Sequence, residues 1–192
     1  MKNTLTTITL LIVIVLTAGL ASAQEERMAV ALPVAPVACP FPYHQHFTAG
    51  PGAPAPAPVL SEFPAAIGPL VTGSVWNQGV ANKHFGQTFR FPSSKDCCVM
   101  TSATLTIHLK ALQSGPSLST SVNDGLTVYA NHGVINSQAL WTPAVHANDT
   151  KTVVIPITAN NLTGGMVSFY VEDDTAVVSA ELDVTGCCIR RP

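Results

Sequence analysis

Between Val99 and Ala111 the chain alternates almost without fault. Val99, Thr101, Ala103, Leu105, Ile107, Leu109 and Ala111 fall on one face; Met100, Ser102, Thr104, Thr106, His108 and Lys110 fall on the other. A period of two, with β-branched residues on both sides, is the mark of a half-buried strand with one face on a core and one near water. Ala176 to Thr185 repeats the device, setting Ala176, Val178, Ala180, Leu182 and Val184 against Val177, Ser179, Glu181, Asp183 and Thr185. Cys97-Cys98 opens the first stretch and Cys187-Cys188 follows the second. The pattern predicts two neighbouring strands of one core, tied by their doubled cysteines.

The opening residues read as an export leader. Lys2 supplies a short positive region, Leu10 to Leu16 is continuously apolar, and Ala21-Ser22-Ala23 is a small-residue cleavage site, so 1–23 is expected to be a signal peptide. No later stretch has the length and apolarity of a membrane-spanning helix, so no transmembrane anchor is expected after cleavage. A secreted or cell-surface location follows, and export permits disulfides. Of the five cysteines, Cys97, Cys98, Cys187 and Cys188 are expected to bridge between the two pairs. Which meets which is open; antiparallel strands favour Cys97 to Cys188 and Cys98 to Cys187. Cys39 is then left over and available for an intermolecular disulfide.

Composition shifts sharply after the leader. Ten of the 15 prolines lie between Pro33 and Pro69. Proline lacks the ladder donor and fixes φ, so 24–72 is expected to be an extended proline- and alanine-rich arm, with the folded domain at 73–192. In that domain Phe85, Phe89 and Phe91 mark a strand ending at Pro92. Further short strands are expected over Leu126–Ala130, in a weaker segment reaching Trp141, over Thr152–Thr158 and over Met166–Glu172. Pro156 puts Thr152–Thr158 at a sheet edge or bulge. The inward set is Leu105, Ile107, Leu109, Leu126, Val128, Val153, Ile155, Val167, Phe169, Val171, Val178, Leu182 and Val184. Six to eight short strands without a helical period predict an all-β fold: a two-sheet antiparallel β-sandwich, jelly-roll-like.

Nine Lys and Arg against 11 Asp and Glu leave a formal net charge of −2 with no basic stretch, which argues against a nucleic-acid partner. No Gly-x-Ser-x-Gly elbow, His-Glu-x-x-His helix or glycine-rich phosphate loop occurs, so no enzyme is expected. No cofactor is demanded. Calcium is the ion the acidic turns would suit, with Asp124 facing Asp173 and Asp174 across two loops. His44 and His46, near Cys39, are the alternative as copper or zinc ligands. Trp76 and Trp141 are the aromatic platforms that could stack on a sugar, against the plainer role of capping the core.

Four phrases carry a family likeness: Phe85-Gly86-Gln87-Thr88-Phe89, the run from Ala103 to Leu112, Asn123-Asp124, and the run from Asp173 to Leu182. Over about 100 residues the chain resembles the jelly-roll-like β-sandwich module of uncharacterised secreted bacterial proteins. The resemblance implies a non-catalytic extracellular module, and it leaves the doubled cysteines, Cys39 and the arm unexplained. The expected function is a secreted structural or interaction module, whose partners would be other extracellular proteins or a second copy of itself. The alternatives are a carbohydrate-binding module, with glycans as partners, and a copper- or zinc-binding secreted protein.

Overall fold

A computed structural model describes residues 39–52, 57–72, 76–78, 84–115, 125–172 and 174–189, all within one compact unit, Ala38–Pro192. The expected leader lies outside the described residues. In chain order the strands are β1 (Phe41–Ala49), β2 (Val71–Thr72), β3 (His84–Arg90), β4 (Cys98–Ala111) and β5 (Gly125–Ala130). β6 (Gly133–Ala139), β7 (Thr150–Thr158), β8 (Met166–Val171) and β9 (Thr175–Cys188) follow. One sheet runs β1-β9-β4-β7 and the other β2-β3-β8-β5-β6. Every pairing is antiparallel except that of the two-residue β2 with β3.

β2 apart, the pairs β1·β9, β3·β8, β4·β7 and β5·β6 nest inside one another like the rungs of a single long hairpin. That hairpin is rolled so that β9 also meets β4 and β8 also meets β5, which is the jelly-roll arrangement. The fold is the antiparallel β-sandwich the alternation predicts.

The core lies between the sheets. Leu105, Ile107, Leu109, Leu182 and Val184 from one side meet Phe89, Leu126, Val128, Val167, Phe169 and Val171 from the other, each 2% exposed or less. Of the expected inward set, Val178 alone departs. It is the extra residue of a bulge in β9, between the pairs His108↔Ser179 and Leu109↔Val177, so Val177 takes its place inside. A second bulge inserts Thr101 in β4, between Met100↔Gly186 and Ser102↔Thr185. It reverses the expected facing of the strand's first residues: Met100 is 4% exposed and Val99 62%. Gly186 allows this, because a Cβ there would lie 2.6 Å from the Val99 carbonyl oxygen and 2.9 Å from Met100 Cα.

The arm expected over 24–72 needs correction in its described part. Phe41–Ala49 is an edge strand carrying Pro42 near its start, where a lost donor is tolerated. Residues 57–70 lie over the outer face of the second sheet before β2 joins its edge, with Phe63 edge-on to Tyr129 and Tyr170 at ring distances of 5.9 and 6.2 Å. The Val59 N–H donates to Thr88 Oγ1 (3.0 Å), which is itself 2.9 Å from Ser168 Oγ. Gly86 marks the crossing: a Cβ there would meet Val71 Cγ1 at 2.2 Å. Proline excluded this segment from a sheet interior but not from a sheet edge or from a cover.

Replacing Leu105 by Ala is expected to destabilise the fold by about 2–5 kcal/mol, because the side chain is fully buried opposite Leu182. Val154→Ala, on a side chain 59% exposed, is expected to change it by less than about 0.5 kcal/mol. Chemical denaturation of both variants measures the contrast. Under the cover, burial first, then the neighbouring Tyr170, pushes the Tyr129 hydroxyl up to about 12. A raised acid keeps its proton longer in the folded state than in the unfolded chain. Stability is therefore expected to fall as pH climbs from about 10 towards 12, the unfolded tyrosine titrating near 10. Tyr129→Phe should flatten that limb of a pH–stability profile.

Candidate functional site

Among the described residues, chemically capable side chains gather at the sulfur corner where β4 and β9 meet and in the cleft beside the β6–β7 connection.

Successive strand residues point to opposite faces, so the two cysteines that end β9 cannot serve the same neighbour in the same way. Cys188 faces the core, fully buried, directly opposite Cys98, and the two are bonded with Cα atoms 4.0 Å apart. Cys187 points outward and is bonded to Cys39, just before β1, with Cα atoms 5.6 Å apart. Because β9 lies between β1 and β4, its doubled cysteine fastens one neighbour on each side.

Cys97 takes no part and is an exposed free thiol. It precedes the ladder, in the left-handed region at φ 60°, where it ends a short 3-10 turn over Ser94–Asp96. Ser93 and Asp96 cap that turn reciprocally. The Ser93 N–H donates to Asp96 Oδ2 at 2.8 Å, and this bond, with a second from the Ser93 hydroxyl, holds the Asp96 carboxyl below its usual value. Two expectations are therefore reversed. Cys97 bridges neither Cys188 nor any other cysteine, because it sits in a turn rather than in the strand. Cys39 is not left over for an intermolecular bond, because the chain before β1 brings it to Cys187.

Asp124 and Asp173 lie outside the described residues, and Asp174 Oδ1 accepts from Gln113 Nε2 at 2.6 Å. His44 and His46 share the outer face of β1, both exposed. His46 Nδ1 lies 2.8 Å from Asp183 Oδ1 on β9, and its Nε2 is 4.0 Å from Glu181 Oε2. Cys39, the thiolate expected beside them, is in a disulfide. Among the described residues no group of three or more His, Cys, Asp or Glu side chains is placed to hold an ion.

The two tryptophans separate. Trp76 sits 4.5 Å from the Phe85 ring, edge to face, and packs on the core. Trp141 is half-buried against Ala111 and Val145, and its indole N–H donates to Thr175 Oγ1 at 2.7 Å. Packing on one side and that bond on the other fix the ring. Around it opens a cleft of about 470 Å³, lined also by Leu140, Thr142, Asp149 and Lys151. Lys151 Nζ donates to the Leu140 carbonyl (2.5 Å), and Asp149 Oδ2 accepts the His146 N–H (2.8 Å). Asp149 and Lys151 are the members sequence reasoning passed over. Asp149 lies in a stretch legible only as loop, and Lys151 is one half-exposed cation in a strand.

Among the described residues no helix is long and apolar enough to cross a membrane. No family model and no curated protein matches the sequence. Among solved structures the chain is similar to dimeric latent PorU from Porphyromonas gingivalis, at 12% identity and a TM-score of 0.38 over 56% of this chain and 10% of that one. It is also similar to a CBM4 structure, at 15% identity and a TM-score of 0.30, covering 55% of this chain and 60% of that one. Likenesses this slight carry no functional argument.

The two disulfides join residues 148 and 90 positions apart. In chain-entropy terms each removes about 5 kcal/mol of freedom from the unfolded chain, before any loss to overlap. Replacing Cys98 and Cys188 together by Ala is expected to cost about 2–5 kcal/mol in denaturant unfolding. Cys97→Ser, at an exposed turn, should cost under about 0.5 kcal/mol. Equal costs for the two would show that the bridge is misplaced.

Proposed function

We propose that the chain is exported and acts as a non-catalytic extracellular interaction module that holds a glycan against Trp141. The observation that carries this reading is the fixed, half-buried indole at the wall of an open cleft. A pyranose presents an apolar C–H face, which an aromatic ring accepts, and a rim of hydroxyls, which need donors and acceptors. Asp149, Lys151, Thr142 and Thr150 supply those around the ring. A ring already held by Thr175 and by packing loses little freedom when a ligand arrives, so more of the contact energy is available to affinity.

The same site speaks for binding over cleavage. Glycosidic hydrolysis uses two carboxyl groups roughly 5–10 Å apart, and among the described residues Asp149 is the one acid lining the cleft. Export is supported by the leader pattern from Lys2 to Ala23 and by two disulfides, which persist in oxidising compartments.

The test is a glycan array probed with the native chain and with Trp141→Ala and Trp76→Ala. Sugar-dependent binding is expected, weakened at least tenfold by Trp141→Ala, in keeping with the loss of one stacked aromatic, and kept by Trp76→Ala. Absence of any sugar-dependent signal, or full binding by Trp141→Ala, would refute the reading.

A further inference from the structure

We infer that the sulfur corner holds two interchangeable cross-links, Cys39–Cys187 and Cys97–Cys187. The inference is independent of the Trp141 cleft. In the exchange the Cys97 thiolate attacks the Cys187 sulfur, a Cys97–Cys187 bond forms as the Cys39–Cys187 bond breaks, and Cys39 departs as the thiolate. One disulfide is lost and one made, and the proton given up by Cys97 ends on Cys39, so neither oxidant nor reductant is consumed.

Register selects the target. Val99 is the β4 partner of Cys187, and the Ile189 N–H donates to the Cys97 carbonyl at 2.9 Å, so Cys97 stands diagonally across from Cys187. Diagonal neighbours in an antiparallel ladder are about 7–8 Å apart, and a disulfide spans up to about 6.8 Å between Cα atoms. Bridging across such a diagonal requires the backbone to move. Cys97 lies outside the ladder, so the movement falls on the turn that it ends and not on the β4–β9 register. Cys187 is half-buried on the outer face, whereas Cys98 and Cys188 face the core. The second bridge is shielded, because its two cysteines are 1% and 0% exposed. Cys39 approaches Cys187 from the β1 side and Cys97 from the β4 side, so the two thiols compete for one central sulfur.

What changes on exchange is which part of the chain carries the thiol. Before it, the thiol is in the turn ahead of β4. Afterwards it is at Cys39, next to an edge strand that has lost its covalent tie and is held by its nine register pairs with β9 and by the packing of Tyr43, Phe47 and Ala49. The fold keeps Cys98–Cys188 throughout.

The experiment is incubation of the native full chain at pH 8 without added thiol, followed by acid quenching, alkylation and disulfide mapping with fragmentation between adjacent cysteines. Alkylated Cys39 and a Cys97–Cys187 linkage are expected to rise together, several-fold above a Cys97→Ser control, at a rate independent of protein concentration. Cys97 remaining the sole alkylated cysteine at all times would overturn the inference, as would a rate proportional to concentration. Cys39→Ser, oxidised with glutathione disulfide, provides the second arm. It should form Cys97–Cys187, and persistent glutathione adducts on both residues would equally overturn the inference.

Discussion

Where β9 lies against β4, Leu182 meets Leu105 and Ala180 meets Ile107, all of them fully buried, and the ladder runs on to Cys188 opposite Cys98. Each strand spans 14 residues, and each has a second partner, β1 for β9 and β7 for β4. The remaining elements take their positions from this pair. β1 and β7 are the edges it leaves open, and the second sheet is the surface that its row of leucines, isoleucine and valine requires for burial. Contact between strands so far apart in sequence carries a large loop-closure cost, and the buried apolar row must offset it. The bridge at the mouth of the ladder lowers that cost further by restricting the unfolded chain.

The alternation is why this part of the fold was legible. Period two with Leu and Val on one face has few other realisations, and the partnership of the two strands, their antiparallel sense and nearly all of the inward set follow from it. Pro156 marked an edge, and β7 is one. Bulges escaped the pattern, because an inserted Thr101 or Val178 changes facing without leaving a local signature, and Gly186 discloses its role only once the Val99 carbonyl is beside it. Proline density in 33–69 concealed β1 and the covering segment. It forbids a central strand, but says nothing about an edge strand or a layer that needs no ladder.

The sites were less legible for a different reason. Cysteine pairing depends on which residues are within the strand, and one left-handed turn residue, Cys97, decides it. Trp141 was visible as an aromatic, yet its use of Thr175, and the company of Asp149 and Lys151, arise from strands brought together by the roll. His44 and His46 share a face as their spacing implies, but β9 supplies Asp183 to His46. Sequence names the side chains; the topology determines what they face.

The register at the mouth of the ladder is the point where this account is most exposed. Mapping of native protein trapped in acid, with fragmentation that cuts between Cys97 and Cys98 and between Cys187 and Cys188, tests it directly. Cys98 joined to Cys188 is the expected result. Cys98 joined to Cys187 would mean a ladder slipped by one residue, with every side chain of β9 turned to the wrong face, and would contradict the fold described above.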